Sequence, residues 1–258
     1  MIILKLKSYS SAIFLGFPIP NTENPYIAVP TSEVEFEINI NECKNTNIKI
    51  ENLPLELNSY IKDFWMKLNE GMNFKNCAEI KLINKAQGYT FSGLYAVSTS
   101  LLLYSLGKYN NETLNENEII ELTRIVDNID DPSWASVMDS LRYSSITGKA
   151  VVYRNEEESS ELNKKTIKIK LSKIVSIKPQ IIRDIVGNDV YGAITHLMGV
   201  SVLEASLRIK ESNDFDDTLN KFRKITDSVS YLIYGLIPNN NCFYVPGLPN
   251  IAELICLE

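Results

Sequence analysis

Three observations predict an α+β fold for this 258-residue chain. From Glu33 to Ile40 polar and apolar residues alternate, with Val34, Phe36, Ile38 and Ile40 on one side and Glu33, Glu35, Glu37 and Asn39 on the other. That is the period of a strand with one wet face. Further on, Asn115 and Glu118 have the spacing of a capping box, and Ile119, Leu122, Ile125, Val126 and Ile129 then recur at helical spacing. The composition, 45% hydrophobic and 22% charged, is that of an ordinary globular chain long enough to bury a sizeable core.

Ahead of the alternating strand, Ile2 to Leu6 and Ala12 to Phe17 read as two short strands. Pro18, Pro20, Asn21, Asn24 and Pro25 make the following stretch a loop, because proline withholds a ladder donor. Glu56 to Leu68 is helical and Ala78 to Ile83 is a strand. The apolar and small segment Leu94 to Leu106 is expected as a buried helix, with Val97 and Leu101 on one inward face. Asp131-Pro132 is expected to stop the helix that begins at Asn115. Strands at Ala150 to Arg154 and Thr166 to Leu171 flank an acidic loop, Glu156 to Glu161. Helices follow at about Ala193 to Ile209 and Asp217 to Leu236, then an Asn239-Asn240-Asn241 loop. The strands Phe243 to Val245 and Ala252 to Leu257 close the chain around a Pro246-Gly247-Leu248-Pro249-Asn250 turn.

A net charge of −6 supplies no basic field, which argues against a nucleic-acid or membrane-surface partner. The cysteines, Cys43, Cys77, Cys242 and Cys256, form no CxxC pair and read as reduced, structural thiols without metal-ligand spacing. The N-terminal run is too short for a signal peptide and the apolar run at Leu101 to Tyr104 is too short for a span, so the expected location is cytoplasmic. A homodimer is the commonest soluble assembly and the default expectation.

The stretch richest in chemistry is Gln87-Gly88-Tyr89-Thr90-Phe91-Ser92-Gly93, set between a strand and the Leu94 helix. A helix N-terminus presents unpaired N–H groups and partial positive charge, and glycine lets a phosphate approach the backbone. It is neither a Walker A loop nor a dinucleotide fingerprint. The plain alternative is a strand-to-helix turn whose helix packs through small residues.

With its neighbours, this stretch resembles the GHMP kinases, whose phosphate loop is a Pro-x-x-x-Gly-Leu-Gly-Ser-Ser run opening a buried helix. Lys7-Ser8-Tyr9-Ser10-Ser11-Ala12-Ile13-Phe14-Leu15-Gly16 is similar to the family's N-terminal strand. Asp139 followed by Thr147-Gly148-Lys149-Ala150-Val151-Val152 is similar to its aspartate, short helix and Gly-Gly strand. Pro246 to Asn250 stands where the family has a third, glycine-rich motif, and looks like the Gly-Pro-Asn turn of diphosphomevalonate decarboxylases. The Gly-Tyr-x-Phe frame at Gly88 to Phe91, with Arg154 ending the later strand, is most like the archaeal pantoate kinases.

The resemblance implies a two-lobed α+β fold, with a ribosomal-protein-like N-terminal lobe over 1–155 and a ferredoxin-like lobe over 156–258. It implies ATP-dependent phosphorylation of a small hydroxy acid, most like pantoate to 4-phosphopantoate in coenzyme A biosynthesis, with Mg²⁺. ATP would lie on Gly88, Tyr89, Thr90, Phe91, Ser92 and Gly93, with Ser92 as a metal ligand. Asp139, or second to it Asp131, would be the carboxylate near the acceptor hydroxyl, and Ser8, Ser10 and Arg142 would hold the acceptor. Lys149 is a further cation for the developing charge. His196, the lone histidine, reads as structural, and Trp134 as a cleft wall. Leu94 stands where relatives have serine, Thr90 and Ser92 replace glycines, Gly148-Lys149 replaces Gly-Gly, and Ala12 replaces a histidine. Such departures are expected of a diverged kinase or of a non-catalytic relative that binds a metabolite or partner. Pro249-Asn250 also suggests a mevalonate-pathway kinase or decarboxylase.

Overall fold

The structure, a computed structural model, describes residues 1–72, 74–84, 88–154, 160–162, 166–179, 182–212, 214–239 and 242–258. Gln87, residues 156–159 of the acidic loop, and Asn240 and Asn241 lie outside the described residues. The elements are β1 (Ile2–Leu15), β2 (Tyr26–Glu42), β3 (Asn47–Glu51), α1 (Leu57–Gly71), β4 (Asn76–Leu82), α2 (Phe91–Tyr109), α3 (Glu116–Asp127) and α4 (Pro132–Thr147). Then come β5 (Val151–Tyr153), β6 (Ser160–Glu161), β7 (Ile169–Ser176), α5 (Ile182–Ser212, interrupted at Gly187), α6 (Phe215–Tyr234), β8 (Cys242–Pro246) and β9 (Ile251–Leu257). The mixed α+β fold is the one expected.

The long β2 organises the first sheet. One edge carries β1 antiparallel along its length; the other carries β4 over Phe36 to Glu42 and β5 over Tyr26 to Ala28. The parallel strand β3, unanticipated from sequence, adds to β4, and β6 adds to β5. Val34, Phe36, Ile38 and Ile40 are fully buried, as their alternation requires. A second, antiparallel sheet runs β7-β9-β8.

Two expected strands, Ile2 to Leu6 and Ala12 to Phe17, are one strand. The intervening serines read as a break because they are polar, yet Ser8 and Ser11 are buried, and their hydroxyls donate to the carbonyls of Ser145 and Leu141 on α4 at 2.7 and 2.8 Å. Satisfied in this way, a hydroxyl is compatible with the core. Asp131-Pro132 does not stop a helix but starts one. Asn128, in the left-handed conformation at φ 49°, ends α3, while Asp131 caps α4 with Pro132 in its first turn. The capping box at Asn115 and Glu118 is present in full. On α2 Val97 is buried, but Leu101 is only half-buried, so the two do not share one inward environment.

The second layer docks against the end of β1 and the loop after it. Thr226 on α6 accepts from the amide of Gly16, Tyr234 donates to the Pro18 carbonyl, and Arg223 donates to the Phe14 carbonyl at 2.8 Å with its guanidinium 3.7 Å from the Phe243 ring centroid. Gly187–Glu211 of α5 has the length and apolarity of a membrane span, with a third of its most apolar window buried. Met198, Val202, Ala205 and Ile209 form its inward stripe in the core, while Leu197, Val200, Leu203 and Leu207 face outward.

All four cysteines are paired, which corrects the expectation of reduced thiols: Cys43 with Cys77, and Cys242 with Cys256. The first bridge ties the residue just after β2 to β4, and Cys242 and Cys256 are register partners of β8 and β9. Separations of 34 and 14 residues leave no local motif, so only strand register brings the sulfurs together. Reduction should therefore lower stability by about 2–4 kcal/mol per bridge. Urea unfolding with and without a phosphine reductant checks this, and coincident curves would show that the bridges do not form.

Candidate functional site

The amides that open α2 were the expected phosphate donors, and every one of them already has an acceptor. Thr90 caps the helix: its Oγ1 accepts from the Gly93 amide at 2.9 Å and donates to the Ser11 carbonyl at 2.6 Å. Leu94 N–H bonds the Thr90 carbonyl, the first intrahelical bond. The remaining two, Phe91 and Ser92, donate to the two carboxyl oxygens of Glu253 at 2.5 and 2.8 Å, and the Ser92 hydroxyl donates to the same group at 2.6 Å. Glu253 is fully buried on β9. An internal carboxyl group therefore holds the position for which a helix N-terminus would otherwise recruit an anion.

The glycines of the loop are also committed to packing. A Cβ on Gly93 would lie 2.2 Å from the Ser11 carbonyl oxygen, so the residue is the contact that brings α2 onto β1. Gly88 has φ 76°, and a Cβ there would meet the Ile169 carbonyl of β7 at 2.8 Å. Tyr89 is half-buried, and the Phe91 ring meets Tyr60 edge-on at 6.0 Å. In the third motif, a Cβ on Gly247 would stand 2.9 Å from the Glu253 carboxyl, so its absence makes the room that carboxyl occupies. Ser10 is buried beside Gly93, its Oγ without a hydrogen bond among the described residues.

Asp139, the expected catalytic carboxylate, is buried on α4 in a network of opposite charges. Arg124 on α3 reaches its Oδ2 with Nε at 2.7 Å and Nη2 at 2.5 Å, and the Tyr153 hydroxyl donates to the same oxygen at 3.2 Å while accepting from Arg124. Arg142, one turn along α4 and fully buried, pairs with Asp127 of α3, which also accepts from Tyr95 at 2.7 Å. Asp139 Oδ1 and Arg142 Nη1 face each other at 3.9 Å, each without a hydrogen bond among the described residues. Burial is the largest influence on Asp139 and raises its carboxyl above 3.8, with Arg142, Arg124 and Tyr153 opposing. At Arg142 burial works against the charge and the pairing outweighs it. Arg124, whose guanidinium does not give up its proton, donates to Asp139 Oδ2 at 2.5 and 2.7 Å and so favours the carboxylate form against burial.

Asp131 caps α4, accepting from the Ser133 amide and hydroxyl at 2.9 and 2.7 Å. Ser8 is bonded to α4, Lys149 pairs at the surface with Glu161, and Trp134 is buried. His196 is exposed on α5 and lines a cleft there with Asn24 and Thr195. Among the described residues no cluster of three or more His, Cys, Asp or Glu side chains suits a metal ion. The Ser92 amide and hydroxyl are already bonded to the Glu253 carboxyl, so as arranged here neither is free to take a Mg²⁺-triphosphate. Glu253, Arg124 and Asp127 were missed in the sequence, whereas Asp139 and Arg142 were singled out. Glu253 is a lone charge in Ile251-Ala252-Glu253-Leu254-Ile255, and a charge in an apolar strand demands a partner. Arg124 with Asp127, and Asp139 with Arg142, are i,i+3 pairs of opposite order on successive helices, a pattern that sets each cation against an anion.

Replacing Glu253 with Ala strips acceptors from two buried amides and a hydroxyl, and should cost about 2–4 kcal/mol of stability by urea unfolding. Burial raises the Glu253 carboxyl above 4.5, against the bonds from Ser92 and Phe91. The native state therefore holds this proton more tightly than the unfolded chain. The group's contribution is present below pH 4.5 and is lost as pH rises through the raised value. E253Q should lack that slope, and parallel pH profiles for the two proteins would contradict this assignment.

No family model and no curated protein matches the chain. Solved structures do match it over nearly its whole length. The L. major mevalonate kinase in complex with R-mevalonate aligns over 98% of this chain and 87% of its own, with TM-score 0.62 and 11% identity. The Staphylococcus aureus mevalonate diphosphate decarboxylase aligns over 100% and 89%, with TM-score 0.60 and 12% identity. The Streptococcus pneumoniae phosphomevalonate kinase in complex with phosphomevalonate and AMPPNP aligns over 99% and 92%, with TM-score 0.58 and 10% identity. These belong to the GHMP superfamily that the sequence resembles, and their likeness to this chain establishes that it has the GHMP-kinase fold.

Proposed function

We propose that the chain is a non-catalytic binding protein built on the GHMP fold, in which an internal carboxyl group has replaced the nucleotide phosphate. The observation that carries this reading is the Glu253 carboxyl on the Phe91 and Ser92 amides. Phosphoryl transfer needs donors free to receive charge from the nucleotide. Here the Phe91 to Leu94 amides are bonded to Glu253 and Thr90, and the glycines that would admit a phosphate sit against Ser11 and Ile169. Asp139, held by Arg124 and Tyr153, serves the packing of α3 on α4.

A second reading is favoured by the fold itself and by the carboxylate buried beside two arginines: an ATP- and Mg²⁺-dependent kinase of a small hydroxy acid, with pantoate the acceptor suggested by the Gly88-Tyr89-x-Phe91 frame. It requires Glu253 to leave the helix before nucleotide binds. Calorimetric titration with Mg-ATP separates the two. No binding up to millimolar nucleotide is expected, and saturable binding below that would contradict the non-catalytic reading. D139N supplies an independent check. Removing the carboxylate that pairs with half-exposed Arg124 and faces buried Arg142 at 3.9 Å should cost about 1–3 kcal/mol of stability, whereas a catalytic role predicts a folded protein of normal stability whose turnover falls roughly a hundredfold.

A further inference from the structure

Away from the α2 N-terminus, a cleft of about 720 Å³ lies between the first half of β1, the second half of α2, the α2–α3 connection and the end of α4. Gly88 to Gly93, Asp139, Arg142 and Glu253 are all absent from its lining. We propose that this cleft binds an uncharged amphipathic small molecule, with an aromatic or branched apolar body and one hydrogen-bonding head. The proposal deepens the non-catalytic reading by giving that protein a ligand site.

The walls are apolar side chains from separate elements that the fold leaves half-buried around one concavity: Leu6, Leu101, Tyr104, Leu114, Tyr143 and Ile146. Elsewhere on α2 the apolar residues before the terminal Tyr109 are buried, so Leu101 and Tyr104 mark where the helix loses its cover. The volume lies in the range of small-molecule sites, which are mostly apolar with a few placed polar groups. Two small residues, Ser8 and Ser100, form the buried floor where a larger side chain would fill the space. Each hydroxyl already donates to a carbonyl, of Ser145 and Ala96, and so is left to accept.

On the rim, Asn117 accepts from the Tyr143 hydroxyl at 2.6 Å, while its Nδ2 makes no hydrogen bond among the described residues and is oriented by that contact. The charged rim groups are Lys7, which is 3.5 Å from Glu33, and Glu116. Lys7 is already paired with Glu33, so among the described residues no unpaired cation lines the cleft, which is the basis for a ligand with an amide-like or hydroxyl head rather than a phosphate or carboxylate. Burying such a body covers apolar surface at roughly 25 cal/mol per Å².

The test uses N-phenyl-1-naphthylamine, a neutral aromatic probe whose fluorescence rises in apolar sites. One saturable site per chain is expected. S100L, which fills the floor, should weaken binding at least tenfold; I146W, which fills from the half-exposed rim, should do the same if S100L does not fold. L197K with L203K on the outward face of α5 should leave binding unchanged. No saturable binding by the wild type, or binding kept in both filled variants, overturns the proposal. Mg-ATP titration bears only on the non-catalytic reading, so the two claims fail separately.

Discussion

Once the start of a helix is taken out of water, its N–H groups must be given acceptors from within the protein, and much of this structure follows from how α2 meets that demand. Thr90 supplies two acceptors locally, its hydroxyl for Gly93 and its carbonyl for Leu94, and Glu253 supplies those for Phe91 and Ser92 from β9, about 160 residues away. The glutamate arrives on the central strand of the second sheet, so the bond fixes that sheet against the helix layer of the first. Gly247 keeps space for the carboxyl, and Gly88 lets the loop lie on β7. A loop that reads as an open anion cradle is therefore the seam between two layers.

The helix layer shows the same economy with polar groups. Serines on β1 that would interrupt a strand bond the carbonyls of α4, and the two i,i+3 charge pairs of α3 and α4 neutralise one another, Arg142 fully buried and Arg124 half-exposed. Breaking such a pair costs far more than the pair contributes over an apolar replacement, because the abandoned charge remains buried. Asp139 is thus constrained by its partners before any acceptor hydroxyl is considered.

Much of the fold was legible in residues with local signatures. The alternation at Val34 to Ile40, the capping box at Asn115, and the small-residue helix after Gly93 each depend on neighbours in sequence, and each is where expected. What stayed hidden depends on distant chain. The Cys242–Cys256 bridge requires the register of β8 on β9, and β1 reads as two strands until α4 is present to satisfy its serines. Asp131 bonds α4 as a cap, a role a sequence leaves open beside a catalytic one. The sequence singled out the loop but not the Glu253 carboxyl that its amides bond. Glu253 lies in the last eight residues, in a strand whose apolar pattern drew attention away from its one charge.

The most direct measurement of this arrangement is the ¹H–¹⁵N spectrum of Phe91 and Ser92 during a Mg-ATP titration. Amides bonded to a buried carboxyl should resonate far downfield, exchange slowly with solvent, and keep their positions as nucleotide is added. Fast-exchanging amides in the free protein, or resonances that move saturably with nucleotide while Glu253 becomes accessible, would contradict an internal carboxyl group in the place of phosphate.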